Sequence, residues 1–176
     1  MSAVTVTLRL AREASIPIVM RAPEHPITDI VRRYTPQDRS GCLAVFDGNV
    51  PTYFNMAERD DFTGFLDSDA VACSYQVVER YGRIVACGGF AVDANSFSAG
   101  LCWGMVANGL HNMGLGSVLT AARLKSARNT PGVEQVRLDT SQHTQGFYRR
   151  SGFVVEGIVP DGYGPGLDRW DMLLRL

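Results

Sequence analysis

The sequence predicts a mixed α/β (α+β) fold in which helices and one sheet share a single core. Three observations predict it. Short segments with apolar residues at every second position are interleaved with longer ones whose apolar residues recur at three and four. Their order is one strand, two helices, a run of antiparallel strands, then helices and strands in alternation closing on two strands, which suits no all-helical or all-strand architecture. At 176 residues, roughly 70% of the unfolded chain's surface can be buried, enough for one self-sufficient domain over residues 26–176.

The elements follow in order. Ile27–Tyr34 ("ITDIVRRY") reads as a strand. Thr35 is an N-cap with Pro36 at the first helical position, and Leu43, Val45 and Phe46 form the helix's apolar side. A second helix is expected from Pro51, carrying Phe54, Met56, Phe62 and Phe65. "YQVVERYGRIVACGGFAV" is a hairpin about Tyr81-Gly82. "SFSAGLCWGMV" is a strand expected to hold Leu101, Trp103 and Met105 on one face. Leu115, Val118, Leu119 and Ala122 mark the buried stripe of a helix. Val136 and Leu138 point one way on a strand. "QHTQGFYRRSGF" is a short helix capped by Thr140 or Ser141 and stopped by Gly152. "VVEGIV" and "RWDMLLRL" are strands around a Gly/Pro-rich loop, "PDGYGPGLD".

Residues 1–25 stand apart. "VTVTLRL" alternates Val4, Val6, Leu8 and Leu10 with polar residues, so this extension is expected to be an added strand, an arm, or the product of a start site set too early.

Bulk composition narrows the function. With 45% hydrophobic and 20% charged residues the chain reads as an ordinary soluble globule, and no apolar run approaches the ~20 residues of a membrane span. A formal net charge of -1 provides no field to hold nucleic acid. Cys42, Cys73, Cys87 and Cys102 show no CxxC spacing and are expected to be reduced thiols in a cytoplasmic protein. His25, His111 and His143 form no metal-ligand spacing, so no metal is expected.

The chemistry concentrates in "ANGLHNMGLGSVLTAARLKSAR". A strand that runs through a Gly-rich turn into a helix is a ready anion site, because the first helical amides lack partners and the dipole adds about half a positive charge. A dinucleotide fingerprint would need a glycine where Leu119 stands. A phosphate-binding Walker loop would need Lys-Ser/Thr where Leu115-Gly116 stand. The pyrophosphate of coenzyme A remains. Here "MVANGLHNMGLGSVL" resembles the acetyl-CoA motif of the GNAT superfamily of N-acetyltransferases, with Val106, His111, Gly114 and Gly116 on its places. "TQGFYRRSGF" resembles the same superfamily's second signature, and the element order from Ile27 onward matches as well.

The resemblance implies a central, mixed but mostly antiparallel twisted sheet, flanked by helices and splayed at the cofactor site. It also implies transfer of an acetyl group from acetyl-CoA to a primary amine by direct attack in a ternary complex. Met105, Val106, His111, Asn112, Met113, Gly114, Leu115, Gly116 and Ser117 would hold the cofactor, the backbone near Met105 and Val106 serving the thioester. Tyr148 would protonate the leaving thiolate, a transfer from a phenol of ordinary pKa about 10 to a thiol of about 8.5 that is uphill by roughly 2 kcal/mol. Two departures are visible: His111 stands where Gln or Arg is usual, and Ser141 where Asn often sits.

The amine must also be neutral to attack, and "SFSAGLCWGMV" lacks the carboxylate that many relatives carry on this strand. Glu58 is the replacement candidate, or else a solvated helix charge. Arg123, Lys125 and Arg128 could meet the cofactor's 3'-phosphate or simply face water. Tyr163 could wall the acceptor site, Cys102 reads as a strand residue, and His143 as a cap or surface residue. The expected partner is a small-molecule amine, a lysine or an N-terminal amine, with acidic Glu58, Asp60 and Asp61 suiting a cation. No nucleic acid or membrane is expected, and the chain should be a monomer or homodimer. The alternative is a non-catalytic acyl-CoA-binding sensor or interaction module of the same fold.

Overall fold

The computed structural model describes residues 29–93 and 95–176. The strand expected over Val4–Leu10 and the boundary near residue 25 lie outside them. Seven strands are present among the described residues: β1 (Ile30–Arg33), β2 (Gln76–Arg80), β3 (Arg83–Asp93), β4 (Ser98–Val106), β5 (Gln135–Ser141), β6 (Val154–Gly164) and β7 (Leu167–Arg175). They make one sheet in the order β1-β2-β3-β4-β5-β7-β6. All neighbours are antiparallel except β4 and β5. The helices are α1 (Arg39–Asn49), α2 (Arg59–Ser68), α3 (Leu115–Arg128) and α4 (Gln145–Arg150). Because β4 and β5 are parallel, the chain must cross over between them, and α3 is that crossover.

Strand alternation distributes the core over both faces. Val77 of β2 packs with Cys42, Phe46 and Phe62 of α1 and α2, whereas Val78 packs with Ala86 and with Leu115 and Leu119 of α3. A third cluster joins Leu124 and Ala127 of α3 to Val136, Leu138, Phe153 and Met172. Tyr81 and Gly82, at φ 51° and 72°, form the expected tight hairpin turn. Ahead of α1, a short 3-10 turn over Pro36–Asp38 buries the Asp38 carboxylate, which accepts from the Thr35 amide and from Arg32. Arg32 also binds Glu79, tying β1, β2 and this turn together.

Five expectations change. The second helix begins at Arg59, because Pro51 belongs to a turn with a cis Val50-Pro51 bond and Asn55 caps a 3-10 turn over Met56–Glu58. Leu101 does not share a face with Trp103 and Met105. A bulge shifts the register from Cys87–Met105 to Gly89–Cys102, with Trp103 at φ 44°, and sends Leu101 to the α3 side. The buried side of α3 runs through Leu115, Leu119, Thr120, Arg123, Leu124 and Ala127, while Val118 is exposed. The cap of α4 is Thr144, not Thr140 or Ser141. β6 and β7 extend through most of the Gly/Pro-rich segment, leaving only Pro165-Gly166 as the turn.

Candidate active site

The site begins where two strands part. β4 and β5 pair only over Ser98–Gly100 and Gln135–Arg137, so the second half of β4 has no ladder on its β5 side. The Ala107 amide donates to Val85 of β3. By alternation the main-chain groups of Met105 also point to β3, and those of Val106 point into the gap. The Val106 carbonyl is taken by the buried Asn49 side chain at 2.8 Å, which leaves its N–H facing the opening. The Met105 side chain is core, 5% exposed among α1 and α2 residues. Of the two residues assigned to the thioester, Val106 is thus the one that faces the gap.

Beyond Val106 the chain winds through left-handed Gly109, Asn112 and Gly114, at φ 83°, 62° and 84°. Gly114 is the N-cap of α3 and supplies no side-chain cap. Its carbonyl receives the Val118 amide, while the amides of Leu115, Gly116 and Ser117 precede the first intrahelical bond. Three main-chain donors therefore converge with the positive end of the helix dipole, beside the open edge of β4. The Leu115 side chain is core, 1% exposed, so that residue contributes only its amide. Asn112 and Met113 are exposed on the loop, and His111 packs against Tyr53 with ring centroids 4.8 Å apart and planes tilted by 45°.

Gly116 differs from Gly114. A Cβ there would rest in ordinary contact with Phe147 at 3.4 Å, and no left-handed dihedral is required, so neither space nor backbone demands glycine at this position. A groove of about 410 Å³ runs between α3 and α4, lined by Ser117, Thr120, Arg128, Phe147 and Arg150 among others. Arg128 therefore stands where an anionic end of a cofactor could reach it, and Lys125 is exposed on the helix surface. Arg123 contradicts both of its readings, since it neither faces water nor reaches the groove where a phosphate could sit. It is 2% exposed, lies against Gly88 and Gly104, donates Nη2 to Thr120 Oγ1 at 3.2 Å, and leaves Nε without a partner. Glycines on β3 and β4 make that space, since a Cβ on Gly104 would fall 2.8 Å from Nη1.

Tyr148 is half-buried on α4, packed edge-on to Phe153 at 5.7 Å beside Leu101 and the third core cluster. Glu58 lies elsewhere, at the start of α2, where its Oε2 accepts the Asn55 amide at 2.7 Å in a capping box. Tyr163 donates its phenol to Asp139 of β5, and burial together with that carboxylate pushes its pKa up. Cys102 is a half-buried thiol whose pKa is pushed up to about 11, chiefly by burial. His143 is exposed. Among the described residues no cluster of His, Cys, Asp or Glu could hold a metal, and no helix is long and apolar enough to cross a membrane.

Sequence reasoning missed Asn49, Asp139 and Gln142. Asp139 was findable, since its position after Leu138 on an alternating strand puts it on the opposite face. Asn49 and Gln142 act across long sequence separations, and nothing local marks them.

A sheet splayed beside an uncapped helix N-terminus offers a site for an anionic ligand, and comparison with known proteins places the chain in a family. The chain matches the model of the acetyltransferase (GNAT) family over residues 29–153 and belongs to that family. Solved structures share its fold over most of the chain. A GNAT-family protein from Desulfovibrio desulfuricans is 23% identical with a TM-score of 0.71, covering 84% of this chain and 99% of its own. The ribosomal-protein-alanine N-acetyltransferase of Brucella melitensis is 19% identical, with a TM-score of 0.69 over 84% of this chain and 99% of its own. YncA from Salmonella typhimurium, solved with acetyl-CoA, is 16% identical, with a TM-score of 0.70 over 85% of this chain and 94% of its own. No curated protein matches.

Proposed function

We propose that the chain is an acetyl-CoA-dependent N-acetyltransferase that acetylates a primary amine by direct attack in a ternary complex. One observation carries this reading: the Leu115, Gly116 and Ser117 amides open beside the unpaired half of β4 behind an uncapped, left-handed Gly114. Those donors fit a diphosphate, and the groove with Arg128 and Arg150 fits the phosphorylated nucleoside end of coenzyme A. The cofactor brings the activated thioester. Val106 N–H bonds along the open edge, where it stabilises charge developing on the thioester oxygen. Tyr148, carried on the helix that closes the groove, gives its proton to the departing sulfur.

The acceptor is a small-molecule amine, a lysine or an N-terminal amine. The Brucella relative's name supports the last of these. Glu58, the carboxylate chosen from sequence for the amine's proton, has one oxygen occupied by its capping bond. A cytoplasmic setting and a monomeric or homodimeric state complete the proposal, with all four cysteines free.

The test is calorimetric titration with coenzyme A, followed by thiol release from acetyl-CoA over an amine panel with Tyr148→Phe as the control. Amine-dependent release lost in the variant supports the enzyme. Binding without turnover for every amine supports a sensor, and no binding at millimolar coenzyme A removes the reading altogether.

A further inference from the structure

We propose that Asp139 is the general base that deprotonates the acceptor amine, that Tyr163 positions it, and that the acceptor is an ammonium entering at the gap between β4 and β5, beside the tip of the β6–β7 hairpin. This rests on the transferase reading above. Val136 and Leu138 point into the α3-side core, so Asp139 projects from the other face, the one that carries Trp103 and Met105 in β4. The last β4–β5 pair is Gly100–Arg137. Asp139 stands two residues further, about 7 Å along the strand, on the lip of the gap that Val106 faces.

The surroundings hold this carboxylate by one oxygen. Its Oδ2 accepts the Tyr163 phenol, which stays protonated because burial and the carboxylate itself push its pKa up. Oδ1 has no hydrogen-bond partner and no cation bridges Asp139 among the described residues. Asp171 sits directly opposite on β7, but Arg169 grips it with Nε at 3.0 Å, so its charge is answered and that of Asp139 is not. Gln142 fixes the geometry: its Nε2 donates to Gly166 O at 2.8 Å, and its Oε1 accepts the Asp168 amide at 2.9 Å. The β5–α4 loop and the β6–β7 hairpin are thereby one unit, and Tyr163 reaches Asp139 from that hairpin. β4 offers no carboxylate, and Glu58 is engaged at the start of α2.

The step balances as follows. Asp139 Oδ1 takes one proton from R–NH3+ and passes it to solvent. The neutral nitrogen attacks the thioester carbon, a C–N bond forms and the C–S bond breaks. Tyr148 protonates the thiolate, and the second proton lost by the nitrogen restores the phenol through water, so each turnover releases one proton.

Thiol release from acetyl-CoA distinguishes a base from a prop when two acceptors are compared: the best alkylamine of the panel, protonated in solution, and hydroxylamine, already neutral at mildly alkaline pH. For Asp139→Asn we expect about a 100-fold loss of kcat with the alkylamine, less than about threefold with hydroxylamine, and unchanged coenzyme A affinity. For Tyr163→Phe we expect about a tenfold loss with the same selectivity. An equal loss for both acceptors, or no loss for either, overturns the proposal. So does Glu58→Gln abolishing alkylamine transfer while Asp139→Asn retains it. A wild-type protein that binds coenzyme A yet transfers to neither acceptor overturns the transferase reading, and the assignment of Asp139 with it.

Discussion

Gly114 and Gly116 lie two residues apart, yet the structure gives them opposite responses to the same substitution. In Gly114→Ala the new Cβ meets no atom within 4 Å, so the whole cost is backbone strain at φ 84°. A left-handed L-residue costs about 1–2 kcal/mol. In a domain of this size each kcal/mol moves the melting temperature by about 2–4 °C, so a fall of about 2–8 °C is expected. If the variant relaxes out of the left-handed region instead, the melt recovers but an amide turns away from the anion site. Losing one hydrogen bond to a charged group then weakens coenzyme A binding by about tenfold or more.

Gly116→Ala places its Cβ in ordinary contact with Phe147 at 3.4–3.5 Å inside a regular helix. Alanine is the better helix former by roughly 1 kcal/mol, so the melt should hold or rise by up to about 4 °C. Thermal melts with and without coenzyme A read both variants. Gly114→Ala leaving both melt and affinity untouched, or Gly116→Ala falling as far as Gly114→Ala, would refute the account of the loop.

Three further outcomes follow from particular contacts. Tyr148→Phe keeps the ring that packs on Phe153, so the melt and coenzyme A affinity should hold while kcat for thiol release drops about 100-fold. Arg123→Met removes a buried guanidinium with an unpartnered Nε, and a thermal melt should show stabilisation of about 1 kcal/mol or more. A loss would mean that the Gly88–Gly104 shelf needs the charge. The Arg32 guanidinium, aided by the Thr35 amide, holds the buried Asp38 carboxyl below its unfolded value of 3.8. Its contribution is therefore complete above about pH 4 and lost as pH falls through the folded value. In denaturation series, Asp38→Asn should be less stable than wild type near neutrality, and the difference should close below about pH 4.

The site is made largely of backbone that regular structure leaves unused. The Val106 N–H is free because β5 turns away after Arg137, and the α3 amides are free because Gly114 has no side chain to cap them. Such donors cost little while water can reach them, and a ligand that replaces the water gains all of them at once. The glycines of the opening motif accordingly differ. Gly114 supplies a left-handed dihedral, while Gly116 sits in regular helix with room for a Cβ, a distinction that identical letters cannot carry.

The sequence by itself determined what depends on local spacing. The alternation of Val136 and Leu138, the Tyr81-Gly82 turn, the Thr35-Pro36 start of the 3-10 turn that leads into α1 and the Gly-rich entry to α3 were all legible, since each is an interaction between residues a few positions apart. Together with the second signature at Tyr148 they made the GNAT resemblance readable. Only the tertiary structure decided the rest. The bulge at Trp103 that separates Leu101 from Met105, the burial of Arg123 beneath glycines from two strands, the Asn49 clamp on Val106 and the meeting of Tyr163 with Asp139 join segments 13 or more residues apart. Their geometry comes from how the sheet twists, bulges and parts, and that follows from packing over the whole core, which no window of sequence contains.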